Sequence, residues 1–182
     1  VLEDKVIYVQ GIGNVGEALV ENLSNEGAKV YVSDINQERL EEVRDKYSVN
    51  IYGGDNIYAE EMDIYAPCAL GATINDFTIN QLNTKIIAGA ANNQLAEEQK
   101  HGKMLREKGI VYAPDFLINA GGIINVYAEL ENYDRKEIMR KTENIYNTTL
   151  EILKKADADN ITTHQAAFNV AQARIDARKN EK

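Results

Sequence analysis

The chain has 182 residues, with 20 lysines and arginines against 29 aspartates and glutamates, and a formal net charge of −9. Its 44% hydrophobic and 27% charged residues are typical of one globular domain. The acidic balance argues against nucleic-acid binding. No apolar run approaches the ~20 residues of a membrane span. The single cysteine and the two distant histidines argue against a disulfide and against a metal site.

Six short apolar segments are predicted as buried strands, because each is apolar along most of its length and is bounded by turn residues. They are 6–10, 30–33, 49–52, 63–66, 85–90 and 110–113. Amphipathic spacing and capping residues predict four helices between them, at 15–26, 36–46, 75–82 and 95–108. Strands that alternate with helices through short loops indicate an α/β fold, with a doubly wound, mostly parallel sheet.

The pattern changes after Asp115, where strand-like segments end and only helices are predicted. They cover 117–131, despite Gly121 and Gly122, then 134–155 and 163–178. The last two are highly charged, so the chain is expected to end in a helical tail.

The sequence Gly11-x-Gly13-x-x-Gly16 follows the first predicted strand and opens the first predicted helix. In this context the spacing is typical of a loop that binds the diphosphate of a dinucleotide. Gly11 permits a tight turn, Gly13 lets a phosphate approach the backbone, and Gly16 lets helix and strand pack closely. The alternative is a glycine-rich turn that serves packing alone.

Asp34 ends the second predicted strand, eighteen residues after Gly16. An acidic residue at this place binds the ribose hydroxyls of NAD and repels the 2′-phosphate of NADP, so NAD is the expected cofactor. Ile35 and Asn36 offer no cation, although Arg39 lies one helical turn further on. The alternative is an exposed aspartate at the end of a strand.

Small residues and asparagines follow the later strands, where parallel sheets bind ligands. On spacing alone, Asn93 is equally well explained as the N-cap of a helix. Cys68 is expected to be a small buried residue rather than a nucleophile, and a lone cysteine favours a reducing, cytoplasmic compartment. His101 and His164 are expected to be exposed on helices.

Five strings in order along the chain resemble the cofactor domain of the glutamate/leucine/phenylalanine/valine dehydrogenase superfamily, and within it the leucine dehydrogenases. They are GIGNVG, SDIN, DIYAPCALGATIND, AGAANNQL and YAPDFLINAGGIINV. The resemblance implies NAD-dependent, reversible oxidative deamination of an L-amino acid to a 2-oxo acid and ammonium. It also implies a Rossmann-like core at 1–133, in which one strand can run opposite to the others, and a C-terminal helical extension at 134–182.

The resemblance also implies roles for single residues. The diphosphate would be bound by Gly11, Gly13, Asn14, Val15 and Gly16, and the adenosine ribose by Asp34 with Ile35 beside it. The nicotinamide half would lie along Cys68, Ala69, Leu70 and Ala91, and Asn93 would reach the substrate carboxylate or the nicotinamide ribose. Ile123 and Val126 would form an aliphatic wall that favours leucine, isoleucine or valine over glutamate. From periodicity alone, these two residues form an ordinary apolar helix face.

Members of this superfamily place a catalytic lysine in a glycine-rich segment of an N-terminal domain, and these 182 residues contain no such segment. The chain is therefore expected to be the cofactor half of a two-domain enzyme, to bind NAD without turnover, and to contribute no catalytic residue. Its expected partners are an amino acid substrate and the N-terminal catalytic domain, against which the last helix would pack, and the full-length enzyme is expected to be a homo-oligomer.

Two other functions stay open at this point. A stand-alone dinucleotide-binding or regulatory module would need no catalytic lysine. A relative specific for an aromatic amino acid or for glutamate is disfavoured only by Ile123 and Val126.

Overall fold

A computed structural model describes residues 2–131 and 133–180. Val1, Asn132, Glu181 and Lys182, which the predicted ranges 1–133 and 134–182 include, lie outside the described residues. The described strands are β1 (Val6–Gln10), β2 (Lys29–Ser33), β3 (Asn50–Ile51), β4 (Met62–Pro67), β5 (Thr84–Ile87) and β6 (Val111–Tyr112). The helices are α1 (Asn14–Asn25), α2 (Gln37–Tyr47), α3 (Asp76–Gln81), α4 (Glu98–Glu107), α5 (Asp115–Ile118), α6 (Gly121–Glu131), α7 (Arg135–Ala158) and α8 (Thr163–Asn180).

The six strands form one sheet in the order β3-β2-β1-β4-β5-β6, and every neighbouring pair is parallel. This is the Rossmann-like doubly wound arrangement that the sequence predicted. The reversed strand that the resemblance allowed is not found among these six strands. The order reverses between β1 and β4, so a crevice forms at the carboxyl ends of these two strands.

Two hydrophobic clusters pack against the sheet, and aliphatic side chains form most of both. Aliphatic residues of β1, β2, α1 and α2 form one core, including Ile7, Val20 and Leu40. On the other face β3 is followed only by a 3-10 turn, Ile57–Ala59, before β4 begins. Tyrosines contribute to the core there: Tyr8 stacks on Tyr31 with ring centroids 4.7 Å apart.

The predicted start of α2 and the predicted end of α1 are both confirmed. The side chain of Asn36 accepts a hydrogen bond from the backbone N–H of Arg39, at 3.1 Å, and so caps α2. Gly27 ends α1 with a φ of 79°, a conformation that favours glycine.

Two predicted helices differ in the structure. The helix predicted at 95–108 begins only at Glu98, because the segment before it pairs with Ile74. The backbone N–H of Ile74 donates to the carbonyl of Gln94, and the N–H of Ala96 donates to the carbonyl of Ile74. The helix predicted at 117–131 is divided at Asn119 into α5 and α6.

The C-terminal helices have a small core of their own, made of Ile152, Ala156, Ala166, Ala167 and Val170. The first half of α8 is anchored there, whereas 171–180 is exposed. None of the helices in 2–131 and 133–180 combines the length and the apolar character that a membrane crossing requires.

Candidate functional site

The glycine loop lies at the carboxyl end of β1 and leads directly into α1. The backbone N–H of Gly11 donates to the carbonyl of Ser33 at 2.7 Å, and the N–H of Cys68 donates to the carbonyl of Gln10 at 2.7 Å. The loop is therefore tied to β2 on one side and to the segment after β4 on the other. It occupies the switch point of the sheet.

The three glycines of the loop differ in what an added Cβ would meet. Gly11 has a φ of 96°, and an added Cβ would lie 2.6 Å from the Cβ of Ala69. A Cβ on Gly16 would overlap the carbonyl oxygen of Gly11. A Cβ on Gly13 would meet no atom within 4 Å, so it would project into open space at the start of α1. Packing alone therefore explains Gly11 and Gly16 but does not explain Gly13.

The start of α1 is suited to an anion. Gly13 is the N-cap residue, and among the described residues no side chain caps this helix. The first backbone N–H groups of a helix carry a partial positive charge and bind phosphate when nothing else satisfies them. Asn14 and Val15 form this first turn, and Val15 is exposed.

Asp34 lies beside this loop and is held by two backbone groups. Its Oδ2 accepts from the N–H of Ile12 at 2.8 Å, and its Oδ1 accepts from the N–H of Asn36 at 2.9 Å. Each carboxylate oxygen has a second lone pair, so the group can still accept bonds from a ribose. Ile35, next along, is fully exposed.

The loops after β4 and β5 continue the crevice beyond the glycine loop. The N–H of Ala91 donates to the carbonyl of Pro67 at 2.9 Å, and Ala69 lies against Gly11. Leu70 is exposed, whereas Ala91 is buried. The carboxyl ends of β1, β2, β4 and β5 therefore lie along one edge of the sheet, as the sequence predicted.

Cys68 is half-buried within this edge. Its Sγ accepts from the N–H of Ala90 at 3.5 Å. Burial raises the pKa of the thiol above its usual value, so the protonated form is favoured. This environment agrees with a packing role rather than with a nucleophile.

Asn93 does not cap a helix, since α4 starts at Glu98 and Asn93 has a left-handed φ of 51°. Its carbonyl accepts from the N–H of Ala72 at 2.7 Å. The neighbouring Asn92 accepts a hydrogen bond at 2.7 Å from the side chain of Asn119. This bond ties the loop after β5 to the residue at which α5 and α6 are divided.

Ile123 and Val126 lie on α6 shortly after Asn119, and both are exposed. Apolar side chains exposed beside a crevice are typical of a surface that meets a ligand or another protein segment.

A buried polar pair that the sequence analysis missed supports this edge. The backbone N–H of Gln94 donates to Oδ2 of Asp115 at 2.8 Å, and its side-chain amide donates to the carbonyls of Gly89 and Ala91. Both residues are buried. The only available signal was that each follows a predicted strand, Gln94 four residues after Ala90 and Asp115 two residues after Ala113.

The prediction that both histidines are exposed is wrong, because each lies where two helices meet. His101 is 1% exposed, and its Nδ1 accepts from the N–H of Glu97 at 2.8 Å. His164 is buried with its Nε2 3.1 Å from a carboxylate oxygen of Glu98, and it packs against Phe116.

The donor atoms of Asp76, Glu97 and His101 lie within 4.8 Å of one another. Lys100 already pairs with both carboxylates, at 2.6 and 3.2 Å. Because Nδ1 of His101 is an acceptor, Nε2 carries the hydrogen of the neutral ring and has no lone pair for a metal. The group is an ion-pair network that joins α3 to α4.

The sequence matches the family profile described as Glutamate/Leucine/Phenylalanine/Valine dehydrogenase over residues 32–182. It is 51% identical over 175 residues to a leucine dehydrogenase from Thermoactinomyces intermedius, covering 96% of this chain and 48% of that protein. It is 47% identical to a phenylalanine dehydrogenase from Bacillus thermotolerans, covering 93% of this chain and 46% of that protein.

A crystal structure of L-tryptophan dehydrogenase from Nostoc punctiforme superimposes with a TM-score of 0.94 at 44% identity. The match covers 98% of this chain and 54% of that one. The chain thus spans about half the length of the relatives it matches.

Proposed function

The chain belongs to the glutamate/leucine/phenylalanine/valine dehydrogenase family, and on this basis we propose that it is the NAD-binding part of an enzyme that oxidatively deaminates leucine or a similar branched-chain L-amino acid. The observation that carries the proposal is the pairing of an uncapped helix start at Gly13 with the Asp34 carboxylate beside it. In the family such enzymes use a nicotinamide cofactor, and this pair provides an anion site and a ribose site at the right spacing.

The residues of the crevice fit the group. A Cβ on Gly13 would meet no atom within 4 Å, so a diphosphate would approach the backbone there and accept from the N–H groups of Asn14, Val15 and Gly16. Asp34 would accept the two ribose hydroxyls and, by its charge, disfavour a 2′-phosphate. When bound, NAD supplies a hydride acceptor, and Ala69, Leu70 and Ala91 would shield its ring from water.

The proposed substrate class is argued from the exposed side chains of α6. The relatives are named for leucine, phenylalanine and tryptophan at similar identities, so membership of the family leaves the amino acid open. Ile123 and Val126 offer an aliphatic surface without a partner for a carboxylate, which favours a branched-chain substrate. Asn93 would bind the substrate carboxylate or the nicotinamide ribose.

The division of labour is part of the proposal. Residues 1–133 would form the cofactor core and 134–182 a helical extension, while the catalytic lysine would come from a domain outside this chain. This agrees with a chain that spans about half of its relatives. We expect no turnover from the chain alone, and we propose a homo-oligomeric full-length enzyme in the cytoplasm.

The test is calorimetric titration of the chain with NAD and with NADP. We expect NAD to bind more tightly, and Asp34→Ala to weaken it by about 10- to 100-fold, as for a lost charged hydrogen bond. Asp157→Ala, which removes the same group from α7, is the matched control and should change nothing. Unchanged NAD affinity in Asp34→Ala would refute the ribose assignment.

A leucine-dependent formation of NADH by the isolated chain, with other dehydrogenases excluded, would contradict the proposed division of labour.

A further inference from the structure

Glu17 and Arg39 form an ion pair between the first turns of α1 and α2, beside the proposed crevice. Nη2 of Arg39 lies 3.1 Å from Oε2 of Glu17. The other carboxylate oxygen of Glu17 accepts from Lys46 at 2.9 Å and from the hydroxyl of Tyr47 at 3.2 Å. The hydrogen bond from Lys46 lowers the pKa of Glu17 below its usual value, so this carboxylate stays ionised at neutral pH.

Arg39 and Asp34 both bind the backbone of the same loop residue, Ile12. Asp34 accepts from the N–H of Ile12, and Nε of Arg39 donates to the carbonyl of Ile12 at 2.5 Å. The guanidinium therefore flanks the same residue as the carboxylate proposed to bind the ribose. Arg39 is therefore a cation in contact with the loop at which the ribose is proposed to bind.

NADP differs from NAD by a phosphate on the 2′-oxygen of the adenosine ribose, and arginine is a preferred partner for such a group. Here the Arg39 side chain is held by Ile12 and Glu17, which take two of its five N–H donors, and the Glu17 carboxylate offsets its positive charge. We propose that Glu17 is a second determinant of cofactor choice, because it holds Arg39 against α1 and withholds the guanidinium from a 2′-phosphate. The inference rests on the proposed function, since it needs the dinucleotide in this crevice.

Asp34 alone does not account for the choice in this geometry. The two backbone bonds that Asp34 accepts leave its negative charge in place, so it still repels a 2′-phosphate. A free arginine beside it would offset its repulsion of a 2′-phosphate, since opposite charges at this range attract as strongly as like charges repel. Discrimination therefore depends on Asp34 and on the engagement of Arg39 together.

The test is a double-mutant cycle in which the dissociation constants of NAD and NADP are measured by calorimetry. We expect Glu17→Gln to improve NADP binding relative to NAD by about 5- to 10-fold, the effect of one released arginine–phosphate contact at a partly exposed site. In the double variant Glu17→Gln with Arg39→Met, this gain should disappear.

Glu21→Gln is the matched control, since Glu21 lies one turn further along α1 and is exposed. It removes the same charge without releasing Arg39, so the ratio of the two constants should not change. Glu17→Asp, which shortens the side chain but keeps the charge, should give a smaller change in the same direction as Glu17→Gln. Thermal unfolding of each variant verifies that the fold is intact.

The outcomes separate the two proposals. An unchanged NADP-to-NAD ratio in Glu17→Gln, with NAD still bound, overturns the role of Glu17 and leaves the proposed function standing. A gain that persists without Arg39 also overturns it, because net charge would then be the cause. If the unchanged chain binds neither dinucleotide, the proposed function falls, and this inference falls with it.

Discussion

The crevice around the glycine loop and the helices α6–α8 differ in how their residues pack. In the crevice, small residues bring backbone segments into contact, as Gly16 does with Gly11 and Gly89 with Pro67. In the helical region, large apolar side chains face outward, among them Leu130, Phe168 and Ile175. Among the described residues, three large apolar side chains are exposed around the crevice, Val15, Ile35 and Leu70, whereas nine are exposed on α6–α8.

The difference follows from the kind of interaction that each region uses. The loop is fixed by hydrogen bonds and van der Waals contacts that its own neighbours supply, so the crevice is preorganised before any ligand arrives. The C-terminal helices bury five residues in their shared core, three of which are alanines. So small a core stabilises weakly, and the exposed apolar residues are the kind that mark an interaction surface. Under the proposed function, the last helix, α8, would pack against the catalytic domain.

The largest expected effect is a loss of stability in the loop. Gly16→Ala places a methyl group on the carbonyl of Gly11, and we expect it to destabilise the fold by about 3 kcal/mol, because neither backbone segment can move freely. Gly13→Ala is the matched control, because its added methyl group would meet no atom within 4 Å. We expect its free energy of unfolding to stay within about 0.5 kcal/mol of that of the parent, while NAD binding weakens. Urea unfolding and calorimetry measure the two effects. Equal stability loss in both variants would show that the loop glycines serve packing alone.

A smaller effect is expected in the helical region. Ala166 is fully buried between α7 and α8, and Ala166→Leu should cost about 1–3 kcal/mol by overpacking. Ile123→Ser changes a side chain that is 67% exposed, and it should alter stability by less than about 0.5 kcal/mol. If Ile123→Ser destabilises the chain as much as Ala166→Leu does, α6 is not the uncovered surface described above.

The smallest effect concerns pH and compares one carboxylate from each region. The pKa of Glu17 is lowered mainly by Lys46, and that of Glu137 mainly by Arg140. A carboxylate whose folded pKa lies below its unfolded value of 4.5 stabilises the fold above that pH, and its contribution is lost as the pH falls through the folded pKa. The destabilisation by either Glu→Gln substitution should therefore shrink on acidification.

Glu17 joins two helices, whereas Glu137 pairs with Arg140 within α7. We therefore expect the pH dependence to be steeper for Glu17→Gln than for Glu137→Gln, since pairs within one exposed helix contribute little. Urea unfolding of the parent and both variants, from neutral pH to about pH 3, measures the difference. The opposite order would mean that the contact between α1 and α2 adds nothing to the fold.

Most of the core fold could be predicted from local patterns. The strands, the end of α1 at Gly27 and the cap at Asn36 were recognisable because each depends on a few neighbouring residues. The predicted helix at 95–108 began too early, because the pairing of Leu95 with Ile74 is a contact between segments distant in sequence. The candidate site was predicted in outline, but the pairs Gln94–Asp115 and Glu17–Arg39 were not.

The sequence by itself determined the alternation of strands and helices, the glycine loop with Asp34 beside it, and the resemblance that identified the family. These features depend on periodicity, on backbone conformations open to glycine, and on short spacings, all of which are local along the chain. Only the tertiary structure decided that both histidines are buried and that Asp34 and Arg39 bind the backbone N–H and the carbonyl of Ile12. Burial and charge pairing depend on which distant segments meet, and no local pattern encodes that.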